Sequence, residues 1–222
     1  MRVFIALVIS LLALPALAAT YTYTGPVFTS KSDFTVCGTG TCTNYNTTTM
    51  HITGSFSTAA PIGLGVTNLD ITASITAYSF NDGVNTIANG DANARIRSAV
   101  VTTDGTGAIT AWNVAVERWT SGINGGHVFG DRLNFIRTLS TPNDQGFNNE
   151  ICASSLVADV CSGFSQDAST SFADVFTLGS WIVTGVSVGV FPTPALSTWG
   201  MIALAALVVL FGLFMQRRDR VV

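Results

Sequence analysis

The chain has 222 residues and a formal net charge of −3, with 48% hydrophobic and only 10% charged residues. A soluble domain ordinarily carries about 25% charge, so the composition points to membrane-directed segments together with an unusually neutral folded part. It excludes a disordered acidic chain, a coiled coil and a basic nucleic-acid binder, because ten Lys and Arg against thirteen Asp and Glu leave no cationic face to release counterions from phosphate backbones.

The N-terminus opens on Met1 and Arg2, continues as an apolar run over residues 3–14, and closes with Pro15 and the small-residue string Ala16-Leu17-Ala18-Ala19. A basic start, a short apolar stretch and an A-x-A site are the three parts of a secretory signal peptide. The expected cut follows Ala18, leaving residues 1–18 as the signal. An anchor helix is the competing reading, but the run is short for a span and Pro15 would break its end.

Residues 19–190 then form the expected ectodomain. It holds six bases and twelve acids, a net charge of about −6, and Lys31 is its only lysine. Solubility rests on Thr, Ser, Asn and Gly. Period-2 alternation recurs: Met50, Ile52 and Phe56 on one side; Leu69, Ile71, Ala73, Ile75 and Ala77; Trp112, Val114 and Val116 within residues 109–119; and Ile182, Thr184, Val186 and Val188. Such runs predict half-buried antiparallel strands. Turn signals separate them at Asn81-Asp82-Gly83, Asp104-Gly105-Thr106-Gly107, Gly125-Gly126 and Pro142-Asn143-Asp144, where Asx and Gly suit hairpin geometry. Residues 154–160 are the best candidate for a short helix. The expected fold is all-β, an antiparallel β-sandwich or jelly-roll-like ectodomain.

Four cysteines fall as two local pairs, Cys37 with Cys42 and Cys152 with Cys161. In an exported protein an even count predicts disulfides, and local pairing orders the least chain. Zinc would want CxxC-type spacing or a nearby His, and His51 and His127 are both far in sequence. No cofactor motif is present. His127, in a glycine-rich loop with Asp131 nearby, is a weak candidate base, since no G-x-S-x-G elbow accompanies it. Glu117 and Asp131 are candidates for a glycosidase pair, set against the plainer expectation that both are solvated or paired with Arg118 and Arg132. Asp82, Asn89, Asp91 and Asn93 form an oxygen-rich stretch that would suit calcium or, more simply, an Asx-rich turn. Among the aromatics Tyr21, Tyr23, Trp112, Trp119 and Trp181, most are expected in the core. Trp119 falls on the opposite parity from Trp112, with Glu117, and is the candidate for an exposed sugar-stacking ring.

A second apolar run, residues 199–215, carries no charge and would measure about 26 Å as a helix, close to the hydrocarbon thickness of about 30 Å. Arg217, Arg218 and Arg220 follow, opposed only by Asp219. The positive-inside rule places that end, residues 216–222, in the cytoplasm and the ectodomain outside.

The stretch Phe191-Pro192-Thr193-Pro194-Ala195-Leu196-Ser197-Thr198-Trp199-Gly200-Met201, with the apolar run and arginine cluster behind it, resembles the sorting tail of the PEP-CTERM class. It is nearest the IPTL-type variant, whose pattern runs Pro-Thr-Leu-Ser-x-Trp-Gly. Here Pro194 and Ala195 are inserted, and Phe191 stands where Ile or Val is usual. The resemblance implies that Pro192, Thr193, Pro194, Leu196, Ser197, Trp199 and Gly200 form the sorting motif, with 191–198 as its Pro-containing linker and 199–215 as the helix. It implies recognition by an exosortase-like membrane transpeptidase, cleavage near the Pro motif, and transfer to the cell surface or its exopolysaccharide. Ser79-Phe80-Asn81-Asp82-Gly83 and the Val101-to-Trp112 hairpin are also similar to β-rich ectodomains that carry such tails. A non-enzymatic bacterial surface or matrix protein is therefore expected. A secreted carbohydrate-active enzyme or carbohydrate-binding module, using surface carboxylates and aromatics, is the rival.

Overall fold

The computed structural model describes residues 18–32, 45–141, 143–157 and 159–184. These residues are all-β, in two antiparallel sheets. The five-stranded sheet has the order β13 (Ser180–Thr184), β1 (Ala19–Val27), β3 (His51–Thr58), β5 (Ile75–Asn81), β6 (Thr86–Ala88). The larger sheet has the order β2 (Ser30–Ser32), β12 (Ser171–Val175), β10 (Asp144–Val157), β9 (Arg132–Leu139), β8 (Ile109–Trp119), β7 (Ala94–Thr103), β4 (Leu69–Asp70). Its last strand, β11 (Val160–Ser165), pairs with β10 off that path. Cys37 and Cys42, the signal segment, and the sorting motif with its apolar run and arginines all lie outside the described residues. Among the described residues no helix is long and apolar enough to cross a membrane.

Alternation explains β1 directly. Ala19, Tyr21 and Tyr23 are buried, while Thr22 and Thr24 are exposed. The buried set continues across the sheet as two cross-strand rows. One runs Trp181, Tyr23, Gly54, Phe80, Ile87, and the other Val183, Tyr21, Phe56, Tyr78. Tyr21 stacks on Phe56 with centroids 5.0 Å apart. Gly54 has a specific reason to be glycine: a Cβ there would overlap the Phe80 ring.

These rows pack against Val101, Trp112, Val114, Val116, Ile136 and Val175 of the larger sheet, forming one core between the layers. Trp112 crosses that core to Tyr23 at 5.8 Å and Trp181 at 6.4 Å. Tyr21, Tyr23, Trp112 and Trp181 are thus core aromatics, each burial contributing on the order of 1.5–3 kcal/mol.

Three local expectations are corrected. The alternating run 69–77 is not one strand: β4 ends at Asp70, a 3-10 turn spans Thr72–Ser74, and β5 begins at Ile75. Here the chain leaves the larger sheet for the smaller one. The Asp70 side chain accepts from Thr72 N at 2.9 Å, and the Thr72 hydroxyl accepts from Ala99 N at 3.0 Å, so local side-chain bonds replace the ladder. In β13 the inward parity is Trp181 and Val183, whereas Ile182 is 62% exposed. Apolar character was the wrong guide because the bulkier Trp181 takes the core side. Residues 154–160 are not a helix either. β10 runs through Val157, β11 starts at Val160, and the two pair as an antiparallel hairpin.

That hairpin changes the larger sheet's outer face. Ala115, Trp119, Leu133, Phe135, Phe147, Cys152 and Cys161 form a second buried cluster, with Phe164 and Phe172 packed on it. β8 is therefore buried on both faces along its second half.

Candidate functional site

The outer cluster gathers most of the chemistry-bearing groups. Its cover is fastened by a disulfide between Cys152 and Cys161, the second of the two expected pairs. Beneath it Glu117 is fully buried, 0% exposed, and its Oε1 accepts from Cys161 N at 3.0 Å while Oε2 has no partner. Burial pushes the Glu117 carboxyl up to about 7, against the opposing pull of the Cys161 N–H and of Arg97 and Arg95. Glu150 is 2% exposed and is likewise pushed up to about 7 by burial, with Gln166, Arg97 and Arg137 opposing. The Arg97 guanidinium lies over the Phe135 ring at 5.3 Å and the Phe164 ring at 4.5 Å. It also donates to Ser162 O of the covering hairpin at 2.7 Å.

The β8–β9 loop is pinned to the same hairpin. His127 stacks on Trp119 with centroids 4.2 Å apart and planes 5° apart. His127 Nδ1 lies 2.8 Å from Asp159 Oδ1, and Asp159 also accepts from Arg95 at 2.7 Å. Trp119 Nε1 donates to Asp159 O at 3.0 Å. Partial burial pushes the Asp159 carboxyl up, but bonds from His127 and Arg95 outweigh it and hold it below the usual range. Asp159 has φ +63°, as a tight hairpin turn requires. Ile123, Val128 and Phe129 of the pinned loop stand exposed.

The sequence candidates are redistributed accordingly. Glu117 is not a surface carboxylate, and Trp119 is not an exposed platform. Neither Glu117 nor Asp131 takes the arginine next to it: Arg118 pairs with Asp91, and Arg132 with Asp167 at 2.5 Å. Alternation sends residue 118 to the face opposite residue 117, which forbids the adjacent pair. The hydrogen bond of His127 goes to Asp159, while Asp131 accepts from Val128 N at 2.8 Å. His127 is thus buried against Trp119, and Glu117 lies beneath the hairpin.

The oxygen-rich stretch is also dispersed. Asp82 lies at one end of β6 and accepts from the Tyr45 hydroxyl at 2.7 Å, from Val84 N at 2.9 Å and from Asn85 N at 2.6 Å. Asn89, Asp91 and Asn93 follow the other end, where Asn89 Oδ1 accepts from Tyr78 N and Asp91 holds Arg118. Among the described residues no three His, Cys, Asp or Glu side chains come together as a metal site.

Sequence reasoning did not find Asp159, Arg95 or the buried amides Asn85 and Asn134. The cysteine pair nine positions apart, with Val157 and Val160 between, was the available signal for a stapled hairpin. The amides line a cleft of about 390 Å³ at the end of the sandwich, where the β5–β6 turn, the approach to β7 and the ends of β8 and β9 meet.

Residues 191–218 match the family model of the IPTL-CTERM motif, a PEP-CTERM-like C-terminal sorting signal. The motif marks the chain as an exported protein sorted through its C-terminus, consistent with a membrane-associated processing system. No curated protein and no solved structure matches the chain.

Proposed function

We propose that this chain is a non-enzymatic bacterial cell-surface or extracellular-matrix protein. Residues 199–215 hold it in the membrane as a helix, with Arg217, Arg218 and Arg220 on the cytoplasmic side. An exosortase-like transpeptidase then cuts near residues 192–197 and delivers the ectodomain to the exopolysaccharide. The observation that carries this reading is the IPTL-CTERM motif at residues 191–218. Pro192 and Pro194 support it, because proline fixes φ and biases the preceding residue away from helix, keeping an extended strip before the apolar run.

The state of the titratable groups supports a binding or structural role. Glu117, His127 and Asp159 are each engaged in holding the hairpin and loop together. Intact-mass measurement of the surface-exposed protein tests the sorting step. A mature species ending before the apolar run is expected; one that retains residues 217–222 would establish a permanent anchor instead. Hydrolysis of any polysaccharide by the purified protein, lost on Glu117→Ala or Asp131→Ala, would overturn the non-enzymatic role.

A further inference from the structure

We infer that β13, an edge strand of the smaller sheet, pairs antiparallel with β13 of a second copy of this chain. The pairing centres on Ile182 and joins the two smaller sheets into one, an isologous contact about a two-fold axis. It lies beyond the sorting reading and does not rest on it.

Edge strands present a row of unpaired N–H and C=O groups, and proteins ordinarily blunt such rows with short strands, charges, prolines or bulges. The described edges of the larger sheet follow that rule. β2 is three residues long and carries Lys31. β4 is two residues long and carries Asp70. β11 joins β10 through a ladder that is irregular between Cys152 and Ser154, and its Ser162 O is taken by Arg97. At the other edge of the smaller sheet β6 has only three residues. β13 has none of these devices. Its five residues pair with β1 in unbroken register from Ser180 to Thr184, and among the described residues no strand pairs with its far side. Residues 175–191 contain neither a charge nor a proline.

Such an edge suits its own copy. A two-fold sets the strand against its own sequence, where any charge would sit near its like, and β13 has none. With Ile182 at the centre, Ile182 meets its counterpart, Trp181 falls opposite Val183, and Ser180 opposite Thr184. Aromatic with β-branched and hydroxyl with hydroxyl are favourable cross-strand pairs. The side chains that this pairing covers are the ones the single chain leaves open. Ile182 is 62% exposed on the outer face, while Trp181 and Val183, packed on the core, are only partly buried. Phe176 and Leu178 are exposed too, which places three exposed large apolar side chains within residues 176–182. Exposed apolar groups concentrated in this way mark an interaction surface.

The test is multi-angle light scattering of the full-length chain in detergent micelles over a range of concentrations. A concentration-dependent dimer is expected. Ile182→Lys sets like charges opposite one another and should weaken dimerisation about tenfold or more, with the fold retained because the side chain is exposed. Thr86→Lys, at an exposed position on the opposite edge strand β6, should leave the dimer intact. A short thiol cross-linker should join two Ile182→Cys chains and leave Thr86→Cys chains apart. A wild type that stays monomeric at every concentration overturns the inference. So does a dimer that survives Ile182→Lys, which places the contact elsewhere in the chain, or one lost equally on Thr86→Lys. A dimer in which Ile182→Cys fails to cross-link overturns the register.

Discussion

The Tyr23 hydroxyl donates to both carboxyl oxygens of Asp144, each at 2.9 Å, joining β1 of the smaller sheet to the first residue of β10 in the larger one. Burial pushes the Asp144 carboxyl up to about 6, with Thr138 and Tyr23 pulling it down. The same burial, with Asp144 beside it, drives the Tyr23 hydroxyl well up. Tyr23→Phe should cost about 1–3 kcal/mol, because it leaves a buried carboxyl short of a donor rather than merely removing a contact. Urea unfolding measures it; a loss under a few tenths of a kcal/mol would show that the two sheets do not depend on this bond.

Asp144, Glu117 and Glu150 all titrate above their unfolded values of about 4. A raised folded pKa means the native state holds the proton more tightly. The resulting stability is complete below about pH 4 and is lost as pH climbs through about 6 and 7. Asp91 and Asp167 work in the opposite sense, but they are substantially exposed and screened. The urea midpoint is therefore expected to be higher at pH 5 than at pH 8. Glu117→Gln, a neutral isostere, should flatten that slope. A midpoint that rises from pH 5 to pH 8 would contradict the buried-carboxyl account.

Reducing Cys152–Cys161, or replacing both residues with Ser, should destabilise the chain by about 2–3 kcal/mol, the chain-entropy value for so small a loop. The loss should appear first as faster amide exchange at Cys161 N, whose acceptor is Glu117. Uniform loss of protection through both sheets, with no early change at the hairpin, would show that the disulfide staples the whole domain.

Gly54→Ala forces a Cβ into the ring of Phe80, its cross-strand neighbour in the same row. Overpacking of that kind costs about 1–3 kcal/mol. Phe80→Leu in the same chain should restore part of it, and a double-mutant cycle with no coupling would refute the explanation.

In the proposed topology the arginine cluster would set the depth of the residues before the apolar run, so changing Arg217, Arg218 and Arg220 together to Gln should weaken both orientation and processing. Protease accessibility of the C-terminus reads orientation, and intact mass reads processing. Unaltered processing would mean that the enzyme reads the Pro motif alone.

Particular elements show how far the linear chain could be read. Strict alternation announced β3 and β8, and Asp-Gly and Asx-Gly pairs announced turns, because both signals are local: side-chain parity and backbone φ are set within a few residues. The sorting tail was equally legible, being a linear pattern of proline, apolar run and arginines. The sequence also supplied the Cys152–Cys161 pair through proximity. It did not reveal that their hairpin folds over β8 and buries Glu117 and Trp119, since a strand's parity tells which residues share a face but not whether that face meets solvent. Likewise Ile182 lost the core side to Trp181, and the run 69–77 split between two sheets, because packing against distant strands decided both. His127 found Asp159 thirty-two positions away rather than Asp131. The cleft amides Asn85 and Asn134 meet across forty-nine positions. Such pairings depend on which strands become neighbours, and that is settled by burial of the whole core, which only the tertiary structure expresses.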